Sequence, residues 1–148
     1  MENKMQHIQT RWLYPLGFFI FISYIIFLAD TADYNFAFHV VGQIPYGDKI
    51  CHALLYGVMA LLLNYGLGFR RVRLLTHLPV WLKTKASTSF IFKGALANAP
   101  YVGSIIVLIF ATLEECSQYY IPSRTFDLWD LGADFVGVVL FSLIRIKA

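Results

Sequence analysis

Charge is scarce in this sequence, and cysteine is scarcer still. Only 14% of the 148 residues are Asp, Glu, Lys or Arg, against a hydrophobic fraction of 58% and a mean hydropathy of +0.61. A soluble domain carries about 25% charged residues, so this shortage points to a membrane protein. Two cysteines, Cys51 and Cys116, are too few for a disulfide framework, and each reads as an unpaired buried thiol packing as a small hydrophobe. There is no internal repeat, low-complexity tract or second domain. No spacing of His, Cys, Asp and Glu matches a strong zinc signature, and neither a metal nor a cofactor is expected.

What the chain does have is long apolar runs. Four stretches approach the roughly 20 apolar residues needed to cross a bilayer: residues 12–29, 50–69, 101–120 and 128–146. They are apolar nearly all round, unlike the short alternating strands of a β-barrel. The predicted fold is therefore an all-α, polytopic membrane bundle of four transmembrane helices in a single domain, residues 1–148. The first run follows Lys4 and Arg11 as a secretory signal would, but its apolar part is longer than a signal core, and it is expected to be retained.

Charge is distributed with a clear polarity. Ten of the twelve Lys and Arg residues lie before the first run, in the connection 70–99, or at the end of the chain; the exceptions are Lys49 and Arg124. By the positive-inside rule that side is cytoplasmic, and so are both termini. Eight of the nine acids, all but Glu2, lie at or near the opposite helix ends. Residues 30–47 read as an ordered interfacial loop. The basic connection, especially Leu74–Leu82, is expected to rest on anionic headgroups. Nucleic acid is not an expected partner, because orientation and lipid attraction already account for the basic residues. Asn98 and Pro100 read as a cap and first-turn proline for the third helix.

Polar residues inside the runs form stripes. Asp48, His52 and Tyr56 are spaced i, i+4, i+8 on the second helix, with Lys49 beside them. Glu114 and Gln118 share a face of the third, with Glu115 adjacent, and Asp127, Asp130, Asp134 and Gly137 span about 80° of arc on the fourth. Asp48 and Asp127 are candidate N-caps, with Asp130 placed as the second member of a capping box. Glu114 and Glu115 sit toward a helix C-terminus, where the dipole disfavours negative charge, and Asp134 lies beyond the first turn. Capping explains none of these three. Charge facing lipid is costly, so they are expected to face the bundle interior with Lys49, His52 and Arg124 as counter-charges.

The series Asp48-Lys49-x-x-His52-x-x-x-Tyr56, Glu114-Glu115-x-x-Gln118 and Arg124-x-x-Asp127-x-x-Asp130, followed by Gly137, resembles the VanZ-like family of small bacterial membrane proteins. The resemblance covers most of the chain from Asp48 onward. Asp134 stands where the family usually has Asn, and the basic connection is longer than in compact members. The resemblance implies a multi-pass protein of the bacterial cytoplasmic membrane and cell envelope, and its namesake is associated with resistance to the glycopeptide teicoplanin. It supplies no reaction.

Three functions follow as expectations. In the first, the outward cluster binds or modifies a membrane lipid or envelope precursor and affects glycopeptide sensitivity; Lys49 and Arg124 would hold a phosphate, and Tyr56, Gln118, Asp127, Asp130 and Asp134 complete the binding set. In the second, the protein is an intramembrane enzyme on a lipid-linked or phosphate-bearing substrate, with His52, Glu114 or Glu115 as general base. The third is a small proton-coupled transporter, which would need a homo-oligomer to make a path. Single cysteines at Asn35, Thr84 and Ser123 check the topology. Impermeant thiol reagents are expected to label the first and third in intact cells and Thr84 only after permeabilisation; labelling of Thr84 from outside overturns the orientation.

Overall fold

The computed structural model describes residues 2–31, 36–72 and 100–146; the side chains of residues 2–9 and 36–38 lie outside that description. Among the described residues there are five helices and no strand: α1 (Glu2–Asp30), α2 (Phe36–Gln43), α3 (Gly47–Gly66), α4 (Val102–Gln118) and α5 (Leu128–Ser142). Within them, Thr10–Asp30 and Gly47–Gly66 are long and apolar enough to cross a membrane, with mean hydropathies of 2.0 and 1.2. With 17 and 15 residues, α4 and α5 rise only about 26 and 23 Å at 1.5 Å per residue.

Several boundaries differ from the sequence reading. The interfacial loop contains a helix, α2, whose His39 and Gln43 side chains meet at 3.0 Å with i, i+4 spacing. The chain then turns through Tyr46 in the left-handed region, and Tyr46, not Asp48, occupies the N-cap of α3. Gly47 follows because a Cβ there would collide with the carbonyl oxygen of Val41. At the other end of α3, Gly68 adopts φ 65°. The Phe69 N–H bonds the Asn64 carbonyl and the Gly68 N–H bonds that of Tyr65, the paired pattern of a Schellman stop.

Pro100 lies outside α4, whose N-cap is Tyr101; Asn98 and the rest of 73–99, Leu74–Leu82 included, fall outside the described residues. The ends of that connection are pinned together, with Val72 donating to Pro100 and Val102 to Arg70. The apolar run of α5 continues to Ile146, yet its helix closes at Ser142. Leu143 and Ile144 donate to carbonyls three residues back, which tightens the last turn into a stop.

The helices alternate in direction. Arg11 of α1 stacks over Tyr65 near the end of α3, Arg71 over Tyr101 at the start of α4, and Ser104 of α4 meets Ser142 at the end of α5. At the opposite pole, Lys49 at the start of α3 meets Asp127 before α5, and Ser123 donates to the Asp30 carbonyl at the end of α1. One pole thus gathers Arg11, Arg70 and Arg71, and the other the acids.

α3 is the central helix, touching α1, α2, α4 and α5, and its largest interface is with α5. That interface depends on small residues where the backbones meet: Ala53 and Gly57, spaced i, i+4 on α3, and Gly137 on α5. A Cβ on Gly57 would stand 2.9 Å from the Gly137 carbonyl oxygen, and one on Gly137 would run into the backbone of Ala53. The core sealed by this approach is small, comprising Ile22, Tyr56, Met59, Ala60, Val107, Ala111 and Val138. Outside it, large apolar side chains point away from the protein, including Ile20 at 62% and Leu113 at 65% exposure.

Gly137→Ala is expected to destabilise the fold by about 2 kcal/mol or more, since α3 must move to admit a methyl group. Gly132→Ala, on the same helix with open space around it, is expected to be neutral or to stabilise by up to about 1 kcal/mol through helix propensity. Denaturant titration of the two variants in micelles measures the contrast.

Candidate functional site

Helix spacing puts Lys49, His52 and Tyr56 on one face of α3, and the α3–α5 approach sets that face against Asp127, Asp130 and Asp134. Lys49 Nζ lies 2.8 Å from Asp48 Oδ2, 2.7 Å from Asp127 Oδ2 and 2.8 Å from Asp130 Oδ1. An ammonium has three protons, and here three carboxylates surround it. One turn deeper, His52 Nδ1 is 3.0 Å from Asp134 Oδ1. The His52 ring stacks on Tyr56 at 5.9 Å, and the Tyr56 hydroxyl donates to Glu114 Oε2 at 3.1 Å.

α4 contributes the remaining wall. Gln118 Nε2 donates to Glu114 Oε1 at 3.1 Å and to Glu115 Oε2 at 2.9 Å. Arg124 Nη2 reaches Glu114 Oε1 at 3.5 Å, a long contact that leaves most of the guanidinium protons without an acceptor among the described residues. Glu115 Oε1 accepts the backbone N–H of Asp127 at 2.7 Å. This bond completes the start of α5 in a way the sequence did not reveal. Asp127 is the N-cap, accepting from the Trp129 N–H at 2.9 Å. The reciprocal bond of a capping box, expected from Asp130, comes instead from Glu115 on another helix, because Asp130 is turned toward Lys49.

All ten predicted site residues, Lys49, His52, Tyr56, Glu114, Glu115, Gln118, Arg124, Asp127, Asp130 and Asp134, therefore fall in one network. Asp48 joins them through Lys49, not as a cap. Burial is deepest where charge is least expected: Glu115 and Asp134 have no exposed surface. Each Glu115 oxygen has a donor, whereas Asp134 Oδ2 has none among the described residues. Asp127 lies at the rim, and the hydrogen bond from the Lys49 ammonium holds its carboxyl below the usual carboxylate range.

The charge balance is uneven. Six carboxyl groups, at 48, 114, 115, 127, 130 and 134, face two permanent cations, Lys49 and Arg124, and one histidine. An ionised Asp134 can only accept, which places the ring proton of His52 on Nδ1 and turns Nε2, unpartnered among the described residues, into a proton acceptor. No group of three or more His, Cys, Asp and Glu side chains is arranged to hold a metal ion among the described residues.

A second buried polar group lies toward the basic pole and was not singled out in the sequence. Asn64 Nδ2 donates to Ser104 Oγ at 2.8 Å, Asn64 Oδ1 accepts the Ser104 N–H at 3.1 Å, and Ser104 Oγ meets Ser142 Oγ at 2.6 Å. Asn64 thereby satisfies a first-turn N–H of α4, whose own N-cap Tyr101 makes no side-chain bond. The only sequence signal was a lone Asn in an apolar run. These groups partner one another, and their role is structural.

No protein family, curated protein or solved structure matches the chain.

Glu115→Ala would strand the Asp127 N–H and one of the two Gln118 amide protons, the other still bonding Glu114, and a loss of about 3 kcal/mol is expected. Glu115→Gln keeps one acceptor oxygen and should lose less. Thermal unfolding in detergent compares the two; an Ala variant as stable as the parent would show that Glu115 does not cap α5.

Proposed function

We propose that this chain is a VanZ-like, multi-pass protein of the bacterial cytoplasmic membrane, with four spans and both termini in the cytoplasm. Its outward polar cluster binds or modifies an envelope component and alters the response to glycopeptides such as teicoplanin. The observation that carries the reading is the reversed polarity of the bundle. Glu114, Glu115, Gln118 and Asp134 are buried together while Leu, Ile and Phe side chains cover the exterior. Water disfavours such an exterior, and a bilayer accommodates it.

The shortness of α4 and α5 is compatible with four spans because α4 ends and α5 begins at the pole where the cluster and its aromatic rim lie. Tyr46, Tyr119, Tyr120 and Trp129 are exposed there, the placement amphipathic rings take at headgroup level. The basic pole, with Arg11, Arg70 and Arg71, then faces the cytoplasm.

An acid/base reaction on a lipid-linked substrate is a second reading, favoured by the His52–Asp134 pair. In it Asp134 orients the ring and balances the imidazolium, His52 Nε2 takes the proton, and Arg124 meets developing negative charge. Transport has less support. Beneath Tyr56 the core of Met59, Ala60, Val107, Ala111 and Val138 intervenes, and the next polar group on α3 is Asn64, about 12 Å further along the helix.

Deletion and overexpression in the native host test the proposal. Changed teicoplanin susceptibility or envelope lipid composition is expected, with the overexpression effect removed by His52→Ala. If both readouts stay at parental values in both strains, the envelope role is abandoned.

A further inference from the structure

The cluster has a charge preference that the sequence reading had reversed. Lys49 was expected to hold a phosphate, but the carboxylates of Asp48, Asp127 and Asp130 already surround its ammonium at 2.7–2.8 Å. An anion could reach Lys49 only by displacing acids. Negative charge is what the site has in excess, with six carboxyl groups to two permanent cations.

A separate observation shows where that excess is unused. Asp134 is fully buried, its Oδ1 is taken by His52, and its Oδ2 has no partner. A buried acceptor without a donor costs about 1–3 kcal/mol. Protonating Oδ2 would remove the buried charge but leave the new O–H without an acceptor among the described residues. The group that suits this position brings N–H donors and positive charge. The cage around Lys49 shows that this pole already receives an ammonium among carboxylates.

Arg124 supplies the opposite half. Its single long contact to Glu114 leaves guanidinium protons available, and a planar guanidinium matches the paired oxygens of a phosphodiester. Glu114 links the two halves, since it accepts from Arg124 through Oε1 and from Tyr56 through Oε2, with His52 stacked on Tyr56.

We infer that the outward pole binds a zwitterionic lipid headgroup in which a primary ammonium stands beside a phosphodiester, as in phosphatidylethanolamine. The carboxylate side, through Asp134 Oδ2, takes the ammonium, and Arg124 takes the phosphodiester. The inference rests on the reading that this pole lies at a membrane surface, where its exposed aromatic rim places it, and it names the class of envelope component that the site accepts. Anionic and fully methylated alternatives differ from it at Asp134. A lipid with a phosphodiester and no ammonium would use Arg124 alone, and one whose nitrogen is fully methylated would offer Asp134 no N–H.

Native mass spectrometry of the full chain, released from detergent with equimolar phosphatidylethanolamine, phosphatidylcholine and phosphatidylglycerol of matched acyl chains, reads the preference. Phosphatidylethanolamine is expected to be retained about tenfold over the other two, the value of one charge-assisted hydrogen bond. Mono- and dimethylated phosphatidylethanolamine should fall stepwise between it and phosphatidylcholine, a series that needs no variant protein. Asp134→Asn is expected to bring phosphatidylethanolamine down to the level of phosphatidylcholine, and Arg124→Gln to lower all three lipids together. Glycerophosphoethanolamine in millimolar excess should leave the lipid bound; its displacing the lipid would overturn the lipid assignment in favour of a soluble ligand. Equal retention of the three lipids, or a preference untouched by Asp134→Asn in protein of parental helicity, overturns the inference. Either result would leave the envelope role standing, since that is judged from the host phenotype.

Discussion

The close approach of α3 and α5 is the constraint on which the rest of this structure depends. Gly57 and Gly137 leave no room for a side chain where the two backbones meet, and a Cβ at Gly137 would overlap Ala53. Only at that spacing do short side chains such as Asp130 and Asp134 reach Lys49 and His52. In the membrane setting proposed above, no hydrophobic drive would pull these helices together, and close van der Waals contact and interhelical hydrogen bonds would supply the attraction. Small residues and polar stripes are therefore two parts of one device: the first permits the approach, and the second gains from it.

The buried charges follow the same logic. Glu114 and Glu115 stand near the C-terminal end of α4, against the dipole, and each is held by donors from elsewhere: Tyr56 and Arg124 for Glu114, the Asp127 backbone for Glu115, and Gln118 for both. Leaving any of these groups unpartnered in a low-dielectric interior would cost more than the pairing returns in water. Two cluster oxygens lack a hydrogen-bond donor among the described residues, Asp130 Oδ1, which still has the Lys49 ammonium 2.8 Å away, and Asp134 Oδ2, whose location beside His52 gives the site chemical interest beyond stability.

Helix ends in this protein are finished by neighbouring helices as well as by local sequence. Asn64 of α3 satisfies the start of α4, and Glu115 of α4 satisfies the start of α5. Such caps are not visible in a linear reading, because the donor and acceptor are 40 and 12 residues apart. The same limit explains why Asp48 looked like a cap and why Pro100 was placed inside a helix: both assignments rest on local preference, which the turn at Tyr46 and the Arg71–Tyr101 bridge override. α2 escaped notice because a helix of 8 residues offers little periodicity to read.

The sequence by itself determined the all-helical class, the helices at 50–69, 101–120 and 128–146 to within a few residues, the end but not the start of the one at 12–29, which begins at Glu2, and the faces that carry Lys49, His52, Glu114 and Asp134. Those features are set by hydrophobic runs and by 3.6-residue periodicity, both of which are properties of neighbouring positions along the chain. It also separated Glu115 and Asp134 from the acids a helix start could explain, since dipole position is a local property. What only the tertiary structure decided was pairing: that three carboxylates share Lys49, that Glu115 caps α5, and that Asp134 keeps one oxygen free. Pairing depends on distances between helices, and those are fixed by how closely Gly57 and Gly137 let two backbones meet.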